Sequence, residues 1–139
     1  LYQDQTIGGE DPGIEFDTHV NRVGPERVWV AEEGTEILGL VSLIINGKQA
    51  EIEPIVVKST CRRHGIGRAL IDVVIHEANR LKILCLSVKP VARNAEALSF
   101  FYESGFRSLG QIELFMWLGA SSPCEWKKGL TLLGKPFTY

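Results

Sequence analysis

Residues 61–70 read Cys-Arg-Arg-His-Gly-Ile-Gly-Arg-Ala-Leu, a cationic, glycine-rich corner that runs straight into an apolar, helix-like stretch. The first N–H groups of a helix have no internal acceptor and lie at the positive end of its dipole. A phosphate group satisfies both conditions. Gly65 and Gly67 lack a Cβ, so the backbone there can approach a phosphate closely and adopt dihedrals that other residues avoid. Arg62, Arg63 and Arg68 add positive charge nearby. The pattern selects a pyrophosphate held mainly by backbone amides, with the arginines in support. Two common phosphate loops do not fit. No stretch has the GxxxxGK[ST] spacing, and the GxGxxG/A fingerprint fails at its third position, Leu70.

A second chemistry lies just upstream. Glu51 and Glu53 alternate with Ile52 in a β-prone stretch, so both point to one face. The simplest reading makes them outward-facing strand residues. A carboxylate there can also take the proton of an attacking amine, directly or through a water. Pro54 has no N–H to donate to a ladder and marks a break in pairing. Other clusters carry less. Cys61-x-x-His64 is half of a metal site with no second pair, so no metal is expected. Cys61 has no His–Asp arrangement beside it that would make it an acyl-enzyme nucleophile. Cys85 sits in an apolar strand and is read as core. Phe115, Trp117 and Trp126 are read as core or interface.

The run Arg62-Arg63-His64-Gly65-Ile66-Gly67 matches [RQ]-x-x-G-x-[GA]. Residues 94–106, Asn-Ala-Glu-Ala-Leu-Ser-Phe-Phe-Tyr-Glu-Ser-Gly-Phe, look like N-x-x-A-x-x-F-Y-x-x-x-G-F, although only two residues separate Tyr102 from Gly105. In this order, with a strand between them, the two segments resemble the GNAT superfamily of acyl-CoA N-acyltransferases over roughly 28–118. The resemblance implies a GNAT fold, acetyl-CoA as co-substrate, and direct transfer of its acetyl group to a primary amine in a ternary complex. It implies that the family's fourth strand, here Ala50–Val57, splays from its fifth, Ile83–Val88. The pantetheine arm would then bond free backbone groups of Ile55, Val56 and Val57, with an N–H near Ile55 to Val56 facing the thioester oxygen. The pyrophosphate would rest on Arg62, Arg63, His64 and Gly65, and on Ile66, Gly67, Arg68 and Ala69. The family's base position falls at Glu51 or Glu53. Tyr102 matches its general acid, Asn94 the residue that bonds the pantetheine or the leaving side, and Ala97 and Phe101 line the same segment. Asn94 also reads as a helix N-cap.

These residues need a mixed sheet to hold them. Residues 1–26 read as loop with room for one short helix, a truncated or irregular segment for this family. Strands are expected at 27–34, 35–45 and 50–57, with Asn46-Gly47 as a hairpin turn. A helix is expected over 65–81, its apolar stripe running through Ile66, Ala69, Leu70, Val73, Val74 and Ala78. A buried strand at 83–88, a helix at 94–104 closed by Gly105, and a strand at 107–118 follow, and the tail 119–139 has room for one more strand. The expected class is α/β in the broad sense (α+β): an antiparallel meander feeding a β-α-β unit, with helices on both faces, as a single domain over 1–139.

The 139-residue chain has 45% hydrophobic residues and a net charge of −2. That size buries roughly two-thirds of the unfolded surface without disulfides. The charge argues against a surface dedicated to nucleic acid. Three cysteines, an odd number widely spaced, suit free thiols in a reducing, cytoplasmic compartment. No apolar run has the length of a membrane span. The acceptor, a small molecule or a protein amine, is not legible. A homodimer through the sixth strand and the tail is in keeping with the resemblance. The alternative function is a CoA-binding regulatory or scaffold module that lacks transferase activity.

Overall fold

The computed structural model describes residues 12–119 and 125–139; Cys124 and the readings of 1–11 lie outside them. The chain divides into two compact units, Leu1–Val88 and Lys89–Tyr139. The first opens with helix α1, Pro12–Val23, longer than the short helix allowed for this segment. Its signal is faint but present. Phe16, Val20 and Val23 recur at helical spacing, and Pro12 takes the first helical position, where a missing N–H costs nothing.

Three antiparallel strands follow: β1 (Val28–Glu33), β2 (Glu36–Asn46) and β3 (Gln49–Val57). The turn between β2 and β3 is Gly47-Lys48, closed by the Asn46–Gln49 pair and so one residue on from the Asn46-Gly47 expected; Gly47 takes φ 62°. Helix α2 (Ile66–Arg80) returns the chain to β4 (Cys85–Ser87), which runs parallel to β3. The result is a mixed four-stranded sheet in the order β1-β2-β3-β4. β4 is shorter than the 83–88 expected because its first residues are spent elsewhere. The Ile83 N–H closes α2 on the Ala78 carbonyl at 2.9 Å, and the Leu84 N–H bonds the Lys48 carbonyl at 2.8 Å. Leu84 is 82% exposed and Cys85 is exposed too, so Cys85 is not core.

Register settles which helix covers which face. A Cβ added to Gly39 of β2 would lie 3.2 Å from Leu70 and 3.4 Å from Ile66 of α2. Ser42, three residues on and so facing the other way, bonds His19 of α1. The two helices therefore cover opposite faces. The α2 side holds the main core: Val41, Leu43, Ala50 and Ile52 of the sheet against Leu70, Ile71, Val74 and Ala78. The stripe on α2 is rotated from the one expected. Ile71 is fully buried, while Ala69 is exposed and Val73 is 41% exposed.

The second unit holds helix α3 (Ala95–Glu103) and a hairpin of β5 (Lys128–Leu132) and β6 (Lys135–Thr138). The tail thus forms two strands where one was expected. Residues 107–118, expected as a strand, pair with no strand among the described residues and leave Leu114, Phe115 and Met116 exposed. β-propensity measures fit to a pleated neighbour, and this stretch has none there. Phe115, Trp117 and Trp126 form a ring cluster with centroids 5.9–6.3 Å apart.

Candidate active site

The ladder between β3 and β4 has three rungs: Gln49 to Cys85, Ala50 to Leu86, and Glu51 to Ser87. The Ser87 hydroxyl reinforces it by donating to the Ala50 carbonyl at 3.3 Å. Past Glu51, β3 continues to Val57 with no β4 rung beside it. The parting coincides with a bulge on the other edge. Leu43 pairs with Ile52 and Val41 with Ile55, so Ser42 alone faces both Glu53 and Pro54. The Ser42 hydroxyl donates to the Glu53 carbonyl, and Pro54 has no N–H to offer.

Alternation along β3 then decides which backbone groups reach the open edge. The Lys58 N–H bonds the Leu38 carbonyl of β2 at 2.8 Å. Val56, two residues back, turns its polar groups the same way, and Ile55 and Val57 turn theirs toward the gap. The Val57 carbonyl accepts from Arg62 Nε at 3.4 Å. The open edge presents the N–H and carbonyl of Ile55 and the N–H of Val57. Val56, grouped with them in the sequence reading, faces β2.

Because α2 follows β3, its N-terminus lies at the carboxyl end of β3, where β4 has parted from it. A parallel strand pair opening at that end is a common ligand crevice. Gly65 caps α2 at φ 83° and ψ −5°, and no side chain caps the helix. The first intrahelical bond runs from the Ala69 N–H to the Gly65 carbonyl at 3.0 Å, so the first-turn N–H groups of Ile66 and Gly67 precede it. A Cβ on Gly65 would meet nothing within 4 Å. Glycine is required there by its left-handed backbone, and the space outside is open to a ligand. The Ile66 side chain packs toward the sheet, which leaves its N–H as the group it can offer.

The arginines separate by their partners. Arg62 is tied to β3, and Arg68 Nε pairs with Asp72 Oδ1 at 3.0 Å. Arg63, exposed at φ 66°, makes no hydrogen bond or ion pair among the described residues. His64 Nδ1 donates to the Arg62 carbonyl at 2.8 Å, which leaves Nε2 outward. Lys58 bonds Glu36, whose hydrogen bond and charge hold the ammonium above its ordinary range and cancel its field. Among the described residues of this turn, Arg63 is the cation with no partner, and Arg62 keeps its charge beside it because its partner is a neutral carbonyl.

Glu51 pairs with Ile44 on the α1 face of the sheet. Glu51 is half-buried and Glu53 exposed. Glu53 lines a cleft of about 260 Å³ with Arg22, Val23, Arg27, Ile44 and Ile45. Beside it stands His19, which the sequence reading passed over because α1 was not assigned. His19 Nε2 lies 2.7 Å from the Ser42 hydroxyl. That hydroxyl gives its proton to the Glu53 carbonyl, so Nε2–H donates to it and Nδ1 is the acceptor, 3.4 Å from Arg22 Nη2. The network orients the imidazole and joins α1 to the bulge.

In the second unit, Asn94 Oδ1 caps α3 by accepting from the Ala97 N–H at 3.0 Å. The other end closes on Gly105 at φ 107°. The Gly105 N–H bonds the Tyr102 carbonyl at 3.1 Å and the Phe106 N–H bonds the Phe101 carbonyl at 3.0 Å. The Phe106 ring meets the Phe101 ring edge-on at 5.8 Å. This is a Schellman closure with its hydrophobic contact, and it fixes a three-residue gap between Phe101 and Gly105. In N-x-x-A-x-x-F-Y-x-x-x-G-F that gap belongs to the tyrosine, so Phe101 stands in the tyrosine's place. Phe101 and Ala97 are each 7% exposed, whereas Tyr102 is 58% exposed with the Arg107 guanidinium 5.0 Å from its ring centroid.

The model of the Acetyltransferase (GNAT) family matches residues 2–106. Among solved structures, Ard1 from Thermoplasma volcanium superposes with a TM-score of 0.66 at 22% identity, over 79% of this chain and 74% of that one. The ribosomal-protein-S18-alanine N-acetyltransferase of Escherichia coli gives 0.59 at 23% identity, over 68% and 61%. A Bacillus anthracis protein solved in complex with acetyl coenzyme A gives 0.54 at 25% identity, over 56% and 45%. No curated protein matches the chain.

Proposed function

The chain belongs to the GNAT acetyltransferase family, and from that premise we propose that it transfers an acetyl group from acetyl-CoA to a primary amine by direct attack in a ternary complex. One observation carries the reading: β3 loses β4 after Glu51 at the same end where the uncapped N-terminus of α2 begins. The family match runs from residue 2 to residue 106, through both units, which supports a single catalytic domain.

The pantetheine arm lies along the open edge of β3 and pairs with Ile55 and Val57. The pyrophosphate rests on the amides of Gly65, Ile66 and Gly67, with Arg63 as its cation. Arg62, His64, Arg68 and Ala69 border the same turn. The Ile55 N–H faces the thioester oxygen and holds the oxyanion of the tetrahedral intermediate. Glu53 is the base, because its carboxylate lines the cleft and makes no ion pair among the described residues. Glu51 is half-buried and already has a partner. The amine nitrogen attacks the carbonyl carbon, its proton passes to Glu53, and the carbon–sulfur bond breaks. In the second unit, Tyr102 is the proposed source of the proton for the departing sulfur, and Asn94 the proposed partner of the leaving group, on the helix that carries Ala97 and Phe101. Phe101 in the tyrosine's place favours a second reading of that one step, protonation by solvent. A thiol with a pKa of about 8.5 leaves readily enough as thiolate for this to suffice.

The test is thiol release from acetyl-CoA with a panel of amines, read beside mass spectra of the acceptors. Amine-dependent release with an acetylated product supports the proposal. Acetyl-CoA binding without release for any amine would instead make the chain a CoA-binding module.

A further inference from the structure

Resting on that reading, we infer that the acceptor is a small zwitterion, an amine of amino-acid size that carries its own carboxylate. The cleft that Glu53 lines supplies the argument. Its charged walls are Glu53 on β3, Arg22 at the end of α1, and Arg27 just before β1; Ile44, Ile45 and Val23 make up the apolar remainder. Among the described residues neither Glu53 nor Arg22 has an ion pair within 4.0 Å, although they share the cleft and carry opposite charges. Among the described residues Arg27 has a single loose ion pair, with Glu26 at 3.9 Å. Opposite charges that line one concavity without closing on each other leave room between them for a ligand of opposite polarity at its two ends.

The chemistry of each end follows. An ammonium group is drawn to Glu53, which then serves as its base. A carboxylate is drawn to Arg22, whose planar fork matches it in two hydrogen bonds, with Arg27 behind. Among the described residues the walls carry two cations and one anion, and with Glu26 near Arg27 it is Arg22 that stands ready for a negative charge. A diamine or polyamine would set its second cation against the arginines. The volume of about 260 Å³ suits one amino-acid-sized molecule.

Arg22 is held for this task. Its Nη2 lies 3.4 Å from His19 Nδ1, and His19 is anchored through Ser42 to the Glu53 carbonyl. One hydrogen-bonded line therefore sets the position of Arg22 relative to Glu53. The neighbouring hollow of about 310 Å³ at the C-terminal end of α2 differs. There Glu77 and Arg80 pair at 2.7 Å and cancel each other.

The experiment compares free L-amino acids with their C-terminal amides, and with putrescine, in acetyl-CoA-dependent thiol release. Free acids are expected to exceed amides at least tenfold in kcat/KM, and Arg22→Gln is expected to collapse that ratio toward one, while Arg22→Lys restores part of it. Equal or faster turnover of amides or putrescine overturns the inference, as does a ratio that survives Arg22→Gln. If acetyl-CoA binds and no amine reacts, the transferase reading fails, and the cleft is judged by amide chemical shifts of the protein alone. Saturating shifts at Arg22, Ser42 and Glu53 with free amino acids and not with their amides sustain the zwitterion site. Absent or indiscriminate shifts overturn it.

Discussion

Glu51 and Ser87 form the last rung between β3 and β4. Up to that pair the two strands share a parallel ladder; past it, the edge of β3 is open to a ligand and Ser42 holds the bulge from the opposite side. The proposed donor edge begins past this parting, at Ile55, and Glu53 lines the cleft that Arg22, Arg27 and Ile44 share.

Gly65→Ala tests the cap of α2. The added Cβ meets no atom, so its cost is the left-handed backbone, about 1 kcal/mol by chemical denaturation. The methyl group projects into the space assigned to the pyrophosphate, and calorimetry should show acetyl-CoA affinity falling at least tenfold. Unchanged affinity would move the anion away from this turn.

Glu53→Gln keeps the shape of the cleft and removes the base. Steady-state kinetics should show kcat lowered by about 10²- to 10⁴-fold. The KM for acetyl-CoA should stay near its original value, since the donor lies on backbone groups. Glu51→Gln should cost much less; the reverse order would exchange the two glutamates.

Tyr102→Phe should lower kcat by about 10²-fold or more with little change in the KM for acetyl-CoA, as loss of a general acid does. An undiminished kcat assigns the proton to solvent, in line with Phe101 occupying the tyrosine's place.

Ile71→Ala and Val73→Ala distinguish the observed stripe on α2 from the expected one. Ile71 is fully buried, and its truncation should cost about 2–5 kcal/mol in urea unfolding. Val73 is 41% exposed and should cost far less. Comparable losses would contradict the rotation of α2 described above.

Local chemistry made parts of this structure legible in the sequence. Gly47 must turn, Gly65 must cap and Gly105 must close a helix, because few other residues tolerate those dihedrals. The parting of β3 from β4 came from family resemblance and not from periodicity, since a strand's pattern does not say where its neighbour leaves. Residues 107–118 have strand-forming side chains, but pairing depends on a partner that the residues themselves do not encode. His19 was hidden for a related reason. Its role depends on Ser42, 23 positions away in the chain, and on a helix whose apolar spacing is faint. Phe101 and Tyr102, adjacent aromatics, both answer to the motif's tyrosine: Tyr102 by residue type, Phe101 by its three-residue gap to Gly105.

Isotope-labelled amide shifts during titration with acetyl-CoA, followed by addition of an amine, read donor binding and acetyl transfer on the same sample. The account predicts saturating shifts at Ile55, Val57, Gly65, Ile66 and Gly67, then release of free CoA and acetylated amine. Shifts confined to other surfaces, or none at these five amides, would contradict it.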